Sequence, residues 1–460
     1  MAKINLLVAE IGSTTTVVNA FDFAGPCPKF VGQGQAFTSV EQGDVNVGIN
    51  QAIEVLKESI GDQVLEYDHL IATSSAAGGL KMTVHGLVYD MTVRAAKEAA
   101  LGAGANIKFI TAGKLRRTDL KRIENIQPNI ILLAGGVDYG ERDTAIENAE
   151  KLASLDIHAP IIYAGNIENQ DEVKLIFEEA GMELYIVENV YPQIDSLNIE
   201  PTRAIIQKVF ERHIIHAPGM EKVTELVDGS IMPTPGAVME AVKLLQKDIG
   251  DVVAIDVGGA TTDVHSVAET SDEISRIQVA PEPFAKRSVE GDLGCYVSMP
   301  NVVDFLGKED IAKKMGISEE ELEEVIENHL PIPKTEKDIQ FSEILAEYAT
   351  ITAMKRHAGH YRNLFGGEGK KTLAEGKDLT QVQNIIGTGG ALTRLPHRIE
   401  IMEKIAKSNS GNELLPTAEA KILVDNDYIM ASLGVMSRHY PEEALHLLKV
   451  SLGLEKDDCE

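Results

Sequence analysis

Two stretches of this chain follow one pattern, in which an apolar run ends in an acid, turns on glycine and hydroxyl residues, and leaves through a second β-forming run. They are Glu10-Ile-Gly-Ser-Thr-Thr-Thr16 and Asp256-Val-Gly-Gly-Ala-Thr-Thr-Asp263. The first lies inside Ile4–Phe23, which reads as a β-hairpin around a glycine turn. At Gly12, Gly258 and Gly259 the missing side chain lets the backbone approach an anion, and the hydroxyls of Ser13, Thr14, Thr15, Thr261 and Thr262 add short donors beside the turn amides, that of Ala260 included. Asp256 ends a buried strand where it can hold a magnesium ion through water, and Asp263 re-enters the next strand where it can join that network. A third glycine turn, Ile386-Gly-Thr-Gly-Gly-Ala391, follows another buried strand without carboxylates. There Gly387, Gly389 and Gly390 allow a flat ring to lie on the backbone, and Arg394 can stack on an adenine.

Composition excludes several classes of function. The 460 residues carry 43 Lys and Arg against 71 Asp and Glu, a net charge of -28. Such a surface repels polyanions and anionic membranes, so neither nucleic acid nor membrane is expected as a partner. A nucleoside triphosphate is compatible, because it needs local amides and a divalent cation instead of a basic surface. With 44% hydrophobic residues the chain can bury substantial cores. The three cysteines, Cys27, Cys295 and Cys459, have no paired spacing, which argues against a disulfide framework and for a reducing compartment. The sequence has neither a signal-peptide pattern nor an apolar run near the ~20 residues of a membrane helix, so the expected location is cytoplasmic.

Along the chain, Asn46–Ile60 has helical apolar spacing with Gly61 as its stop. From Leu70 to about Pro192 short apolar runs alternate with helical stretches: Asn129–Gly136 before Thr144–Leu155, Ala159–Gly165 before Glu172–Ala180, then Glu183–Glu188. This βαβ grammar predicts a small parallel sheet inserted into the first domain. Residues 308–366 read as helical and acidic, with Ser318-Glu-Glu-Glu321 a capping box and Glu319–Glu324 a solvated face. Pro235–Lys247 and Asp427–Arg438 read as helices.

The order of the three glycine turns, with a helix before the second and another near the C-terminus, resembles the superfamily that unites sugar kinases, heat-shock chaperones and actin. Its phosphate-1, connect-1, phosphate-2, adenosine and connect-2 motifs match Glu10–Asp22, Met232-Pro-Thr-Pro-Gly-Ala237, Asp256–Asp263, Gly387–Arg394 and Ala431-Ser-Leu-Gly434. The resemblance implies an α/β fold with two ribonuclease H-like lobes that close over ATP and Mg2+. Lobe I would comprise 1–69 and 200–250 with 427–460 returning to it, an inserted α/β domain 70–199, lobe II 251–305 and 367–426, and a helical insertion 306–366. Asp256, Asp263 and Glu10 would be catalytic, with Asp256 and Glu10 next to the metal. Two positions depart from the superfamily: Glu10 is one methylene longer than the usual Asp, and Met232 stands where the chaperone branch has a water-orienting Glu. Slow hydrolysis is the expected result.

More narrowly, Leu6-Leu-Val-Ala-Glu-Ile-Gly-Ser-Thr-Thr-Thr16, the Asp256–Asp263 unit and the length are similar to the MutL/GlmL accessory proteins. These are unrelated to the mismatch-repair protein of the same name. That resemblance implies a slow ATPase acting as a reactivating chaperone, whose client is an adenosylcobalamin-dependent glutamate mutase or aminomutase and whose cycle releases damaged cobalamin. The alternative is a small-molecule kinase on the same fold; a kinase needs a positioned base beside an acceptor pocket, and no residue pattern outside the three turns marks one. A filament-forming protein would need self-complementary surfaces, and a radical-dehydratase activator would need cluster-binding cysteines that the three here do not match. Asp263-Val-His265-Ser-Val-Ala268 comes close to the Asp-x-His-x-x-Gly cobalamin signature, but it ends in Ala within the second hairpin, so His265 is expected to be no ligand. His213/His216 and His357/His360 are expected on the surface, and Gly135-Gly-Val-Asp138 as a tight turn in a partner-binding domain.

Overall fold

A computed structural model describes residues 2–12, 15–23, 25, 27–39, 43–61, 65–75, 80–213, 219–220, 222–228, 231–366 and 369–456. It divides into two compact units, Met1–Ala241 with Ala431–Leu447 and Cys459–Glu460, and Val242–Met430 with Leu448–Asp458.

The first unit begins with β1 (Ala2–Ile11), β2 (Thr15–Asp22), β3 (Lys29–Phe37) and β4 (Leu65–Ser74). In β1 residues Leu6 to Ala9 and Ile11 are buried on both faces, as a strand covered from two sides requires. β1, β2 and β3 form an antiparallel meander, and β4 lies parallel to β1 on its other side. Residues 70–74 are therefore paired with β1 in this sheet. The helix Val45–Ile60 starts on Asp44, whose side chain accepts from the Asn46 N–H, and stops at Gly61 with φ 72°.

The chain then builds a separate parallel sheet from β5 (Leu80–Gly86), β6 (Ala105–Ala112), β7 (Ile130–Leu133), β8 (Ile161–Tyr163) and β9 (Leu184–Ile186). Its order is β6-β5-β7-β8-β9, the doubly wound arrangement whose direction reverses between β5 and β7. Helices Arg94–Gly102, Arg117–Ile126, Asp143–Ala153 and Gln170–Glu179 are the crossovers. The chain returns to the first sheet through β10 (Ile231–Pro233), parallel to β4, and enters the helix Thr234–Ile249.

The second unit repeats the first sheet's topology. β11 (Val252–Val257), β12 (Thr262–Val267) and β13 (Ala285–Glu290) form an antiparallel meander. A two-stranded ribbon, β14 (His360–Gly366) and β15 (Gly369–Glu375), follows. Then β16 (Asn384–Thr388) pairs parallel to β11, and β17 (Lys421–Val424) parallel to β16. Three antiparallel strands followed by two parallel ones on the opposite side, occurring twice, make this an α/β protein with two ribonuclease H-like sheets of the actin-like ATPase type. Helices Met299–Leu306, Lys308–Met315, Glu319–Glu327 and Glu336–His357 form the helical insertion, and Ser318 caps the third of them through the expected capping box.

Three expectations need correction. The stretch read as helical to residue 366 leaves the helix at His357, because His360-Tyr-Arg-Asn-Leu-Phe pairs across to β15 as a strand. His357 is buried, not at the surface: its ring lies between the Ser266 and Ser288 hydroxyls, each 2.8 Å away. Cys27 is disulfide-bonded and Cys295 is a free thiol, since pairing follows spatial proximity and not sequence spacing. His216 lies outside the described residues, as does the side chain of His213. Among the described residues no helix is long and apolar enough to cross a membrane.

The helix Met430–Met436 meets the helix Thr234–Ile249 at Gly434, where an added Cβ would stand 1.8 Å from the Ala237 carbonyl oxygen. Both positions belong to the connect motifs, and this approach requires glycine. Gly434→Val should lower the unfolding midpoint by the equivalent of about 3 kcal/mol; an unchanged calorimetric transition would show that the helices do not pack this way.

Candidate nucleotide-phosphate site

The two acid–glycine turns fold alike. In the first, the Gly12 N–H donates to the Thr15 carbonyl at 3.0 Å; in the second, Gly258 does the same to Thr261 at 3.0 Å. The ladders match as well, with Glu10 opposite Val17 and Asp256 opposite Asp263. Each acid thus stands two residues before the glycine that closes its turn. Ser13 and Thr14 lie outside the described residues.

In the second unit the turn is held from one side by the segment after β13. Cys295 N–H donates to Gly258 O at 3.0 Å, Tyr296 and Val297 N–H donate to Gly259 O at 2.9 and 2.7 Å, and Ser298 Oγ donates to Ala260 O at 2.6 Å. The turn's carbonyls are therefore occupied. The amides of Gly259 and Ala260 donate to no acceptor among the described residues, and Gly259 is exposed. Successive amides left without acceptors make an anion-binding concavity.

Two of the hydroxyls expected as phosphate donors, those of Thr261 and Thr262, also make contacts within the fold. Thr262 Oγ1 donates to Leu293 O at 3.0 Å, and Thr261 Oγ1 donates to Asp263 Oδ2 at 3.1 Å. In the first unit Thr16 shares a 2.9 Å hydrogen bond with Thr38, whose hydroxyl also donates to Gly12 O at 2.8 Å. These contacts shape the turns.

The three acids have different surroundings. Asp256 is half-buried at the end of β11. Asp263 is buried and receives the Arg287 Nε–H at 2.9 Å from β13, so its charge is neutralised inside the sheet. Glu10 is buried too. Its Oε1 accepts from the Ser432 amide at 3.0 Å, the Ser432 hydroxyl at 2.6 Å and Asn19 Nδ2 at 3.4 Å, while Asn19 also donates to Ser432 Oγ at 2.8 Å.

The third turn comes directly against the second. Thr388 is paired with Asp256, and Gly389 (φ 80°) comes so near that a Cβ there would lie 2.3 Å from Asp256 Oδ1 and 2.7 Å from the Val257 amide. Gly387 lies within β16, Gly389 and Gly390 open the short helix Gly389–Arg394, and Arg394 at its end is exposed. His265 is fully buried in β12, and burial pushes its imidazole down to about 3, which keeps it neutral.

Sequence reasoning missed Arg287 and Asp425. Asp425 is buried after β17 and accepts from Thr388 Oγ1 at 3.0 Å, Met430 N at 3.0 Å and Ser451 Oγ at 2.9 Å, while burial raises its carboxyl above the usual range. Its signal is the one that marked Asp256, an acid ending an apolar strand, here Ile422-Leu-Val-Asp425. Arg287 was legible only as a cation inside a β-forming run, which requires a buried partner without naming it.

A buried carboxylate stripped of its guanidinium is costly, so Arg287→Ala should destabilise the second unit by about 3–5 kcal/mol. Replacing both, Asp263→Leu with Arg287→Met, should cost less than Arg287→Ala alone. Additive losses in denaturant titrations would refute the pairing.

Comparison with known proteins places the chain in a family. The family model described as "MutL protein" matches residues 6–452. A curated relative, "Protein MutL" of Clostridium tetanomorphum, is 36% identical over 455 residues, covering 96% of this chain and 98% of its own length. Among solved structures, an acetone carboxylase in its nucleotide-free form is similar with TM-score 0.42 and 12% identity, over 94% of this chain and 70% of that one. A glycerol dehydratase reactivase is similar with TM-score 0.31 and 11% identity, over 94% and 100%. Likenesses this loose add nothing to the strand order. The two sequence matches show the family instead: the chain belongs to the MutL protein family.

Proposed function

We propose that this chain is an ATP-dependent reactivating chaperone for an adenosylcobalamin-dependent mutase, a glutamate mutase or an aminomutase, in which ATP binding and slow hydrolysis drive release of damaged cobalamin. The observation that carries the nucleotide part is the pair of hairpins closed in one register, each with an acid two residues ahead of its glycine. Family membership supports the chaperone part.

The residues present fit the nucleotide and its metal. The amides of Gly259 and Ala260 offer donors to phosphate oxygens, and the absence of a side chain at Gly389 lets the third turn pack against Asp256 without displacing it. When bound, magnesium-ATP supplies a scissile phosphoanhydride and a cation that neutralises its charge. Asp256 holds the metal's water shell, which suits an ion that keeps most of its waters and uses one or two carboxylates. Glu10 stands at the equivalent register position and is the second candidate for that shell. Asp263, engaged by Arg287 and Thr261, acts as a positioning residue for the turn. Met232 is buried and carries no proton acceptor, so nothing at that position orients an attacking water. Turnover is slow for that reason. Gly387, Gly389, Gly390 and Arg394 receive the adenine end.

The deciding experiment incubates the purified chain with a glutamate mutase inactivated by cyanocobalamin, plus ATP, Mg2+ and fresh adenosylcobalamin. Mutase activity should return only with hydrolysable ATP, and the inactive mutase should raise basal ATP hydrolysis. ATP consumption that instead rises with a small metabolite, with stoichiometric phosphorylated product, would establish a kinase. Asp256→Asn should lower turnover by roughly 100-fold while changing ATP affinity less than about 3-fold. Gly389→Ala should act in the same direction by displacing Asp256, whereas Gly258→Val should abolish ATP binding itself. Equal losses of affinity and turnover in Asp256→Asn would remove its metal-shell role.

A further inference from the structure

We propose that the C-terminal edge of the parallel sheet β5–β9 is the face that docks the client protein, through exposed aromatic and branched side chains flanked by a basic group that meets acidic residues of the client. This rests on the reading of a protein client given above.

All five strands run parallel, so the loops that follow them emerge on one edge. The order reverses between β5 and β7, and open α/β sheets take their ligands outside the strand ends at such a reversal. Large apolar side chains stand exposed in four of these five loops. Val88 and Tyr89 follow β5, Tyr139 follows β7 with 77% of its surface exposed, Ile167 follows β8, and Ile194 follows β9 with 70% exposed. Single exposed apolar residues are ordinary, but their recurrence in successive loops of one edge marks an interaction surface.

The loops are held rigid from beneath. Asn166 accepts from the Tyr139 amide at 3.1 Å and the Glu168 amide at 3.0 Å, and its Nδ2 donates to the Gly140 and Glu141 carbonyls. Asp138 Oδ1 accepts from the Ile167 amide at 3.0 Å and from Asn189 Nδ2 at 2.9 Å, and Asn189 also donates to Gly136 O. Tyr139 and Asp195 both adopt positive φ, 63° and 58°, a conformation that bulky residues take only when their surroundings impose it. Tyr89 opens a π-helix, Tyr89–Val93, anchored where the Leu87 and Val88 amides donate to Thr92 Oγ1. Side chains presented on a fixed backbone lose little freedom on binding, and tyrosine is a frequent anchor of interfaces.

Charge selects the partner. After β6 the segment from Lys114 to Arg122 exposes Lys114, Arg116, Arg117, Lys121 and Arg122 with one acid among them, Asp119, in a chain whose net charge is -28. Lys114 is paired with Glu147, and Arg122 lies over the Phe109 ring at 4.3 Å. Arg116, Arg117 and Lys121 have no ion-pair partner among the described residues. An apolar centre with a positive flank fits a protein face that carries acids beside apolar residues. A nucleic acid would be repelled by the rest of the surface, and a second copy of this chain brings the same large negative charge.

Full-length chain is titrated onto immobilised glutamate mutase inactivated with cyanocobalamin. Tyr139→Asn, which tolerates positive φ, combined with Ile194→Ser should raise the dissociation constant at least roughly 10-fold, mainly through faster dissociation. Arg116→Glu with Arg117→Glu should slow association roughly 5-fold or more and flatten its salt dependence. Basal ATP hydrolysis and the unfolding midpoint should be unchanged in both variants. If wild type binds and both variants bind equally well, the docking face is refuted while the client reading stands. If wild type itself does not bind the mutase, the client reading fails and this inference with it. Light scattering that shows a wild-type dimer dissolved by the substitutions would assign the face to self-association, and displacement of the mutase by a 20-nucleotide RNA would assign it to nucleic acid; either result overturns the proposal.

Discussion

The hydrogen bond from the Gly258 amide to the Thr261 carbonyl fixes the register on which the candidate site depends. A turn of two intervening residues leaves no slack, and a slip of one residue would move every side chain of β11 and β12 to the opposite face of the sheet. With the turn closed at Gly258, Asp256 falls at the strand end and Asp263 falls across from it. The same bond at Gly12 gives Glu10 the corresponding place. The repeated topology of the two sheets is thus accompanied by a repeated atomic device at one end of each.

The two hairpins then diverge in how they treat charge. A carboxylate taken out of water needs donors or a cation, and the fold provides both solutions. Glu10 is surrounded by neutral donors from Ser432 and Asn19, an arrangement that ties the hairpin to the helix Met430–Met436 within the first unit. Asp263 is matched by Arg287 on the neighbouring strand. Asp256 is half-buried at the end of β11, with Gly389 packed close against it. Of the three acids it has the surroundings most compatible with a hydrated cation, because charge on a half-buried group is only partly desolvated.

What could be read in the sequence was whatever is local. Turn chemistry and strand-forming runs gave both hairpins, helical apolar spacing over Asn46–Ile60 with Gly61 as its stop gave the helix that forms at Val45–Ile60, and the capping box gave Ser318. Long-range partners were not legible. Ser432 reaches Glu10 across 422 positions and Arg287 reaches Asp263 across 24, and neither spacing has a periodicity that predicts it. The contact of Thr262 is of the same kind, since its hydroxyl reaches the Leu293 carbonyl 31 positions on, beyond the end of β13. The reach of the helical reading to residue 366 failed because polarity was taken as helical pattern, while Tyr361 and Phe365 favour the paired ribbon that forms.

The parallel sheet β5–β9 obeys a different economy from the other two. Its strands are short, three of them only three or four residues, and its core is filled by crossover helices, so the loops at one edge contribute little to burial. Loops free of packing duty usually carry small or polar residues. Here they carry Tyr89, Tyr139, Ile167 and Ile194, and the side-chain amides of Asn166 and Asn189 fasten the loop that holds Tyr139 through its Gly140 and Gly136 carbonyls. Ordering such loops without covering their apolar side chains is unfavourable for an isolated chain and favourable for one that meets a partner already shaped to it. The basic segment beside them acts at longer range. Against a background of -28 it is felt by an acidic partner only within about 8 Å at physiological salt, so it speeds association by orienting the last, close part of the encounter.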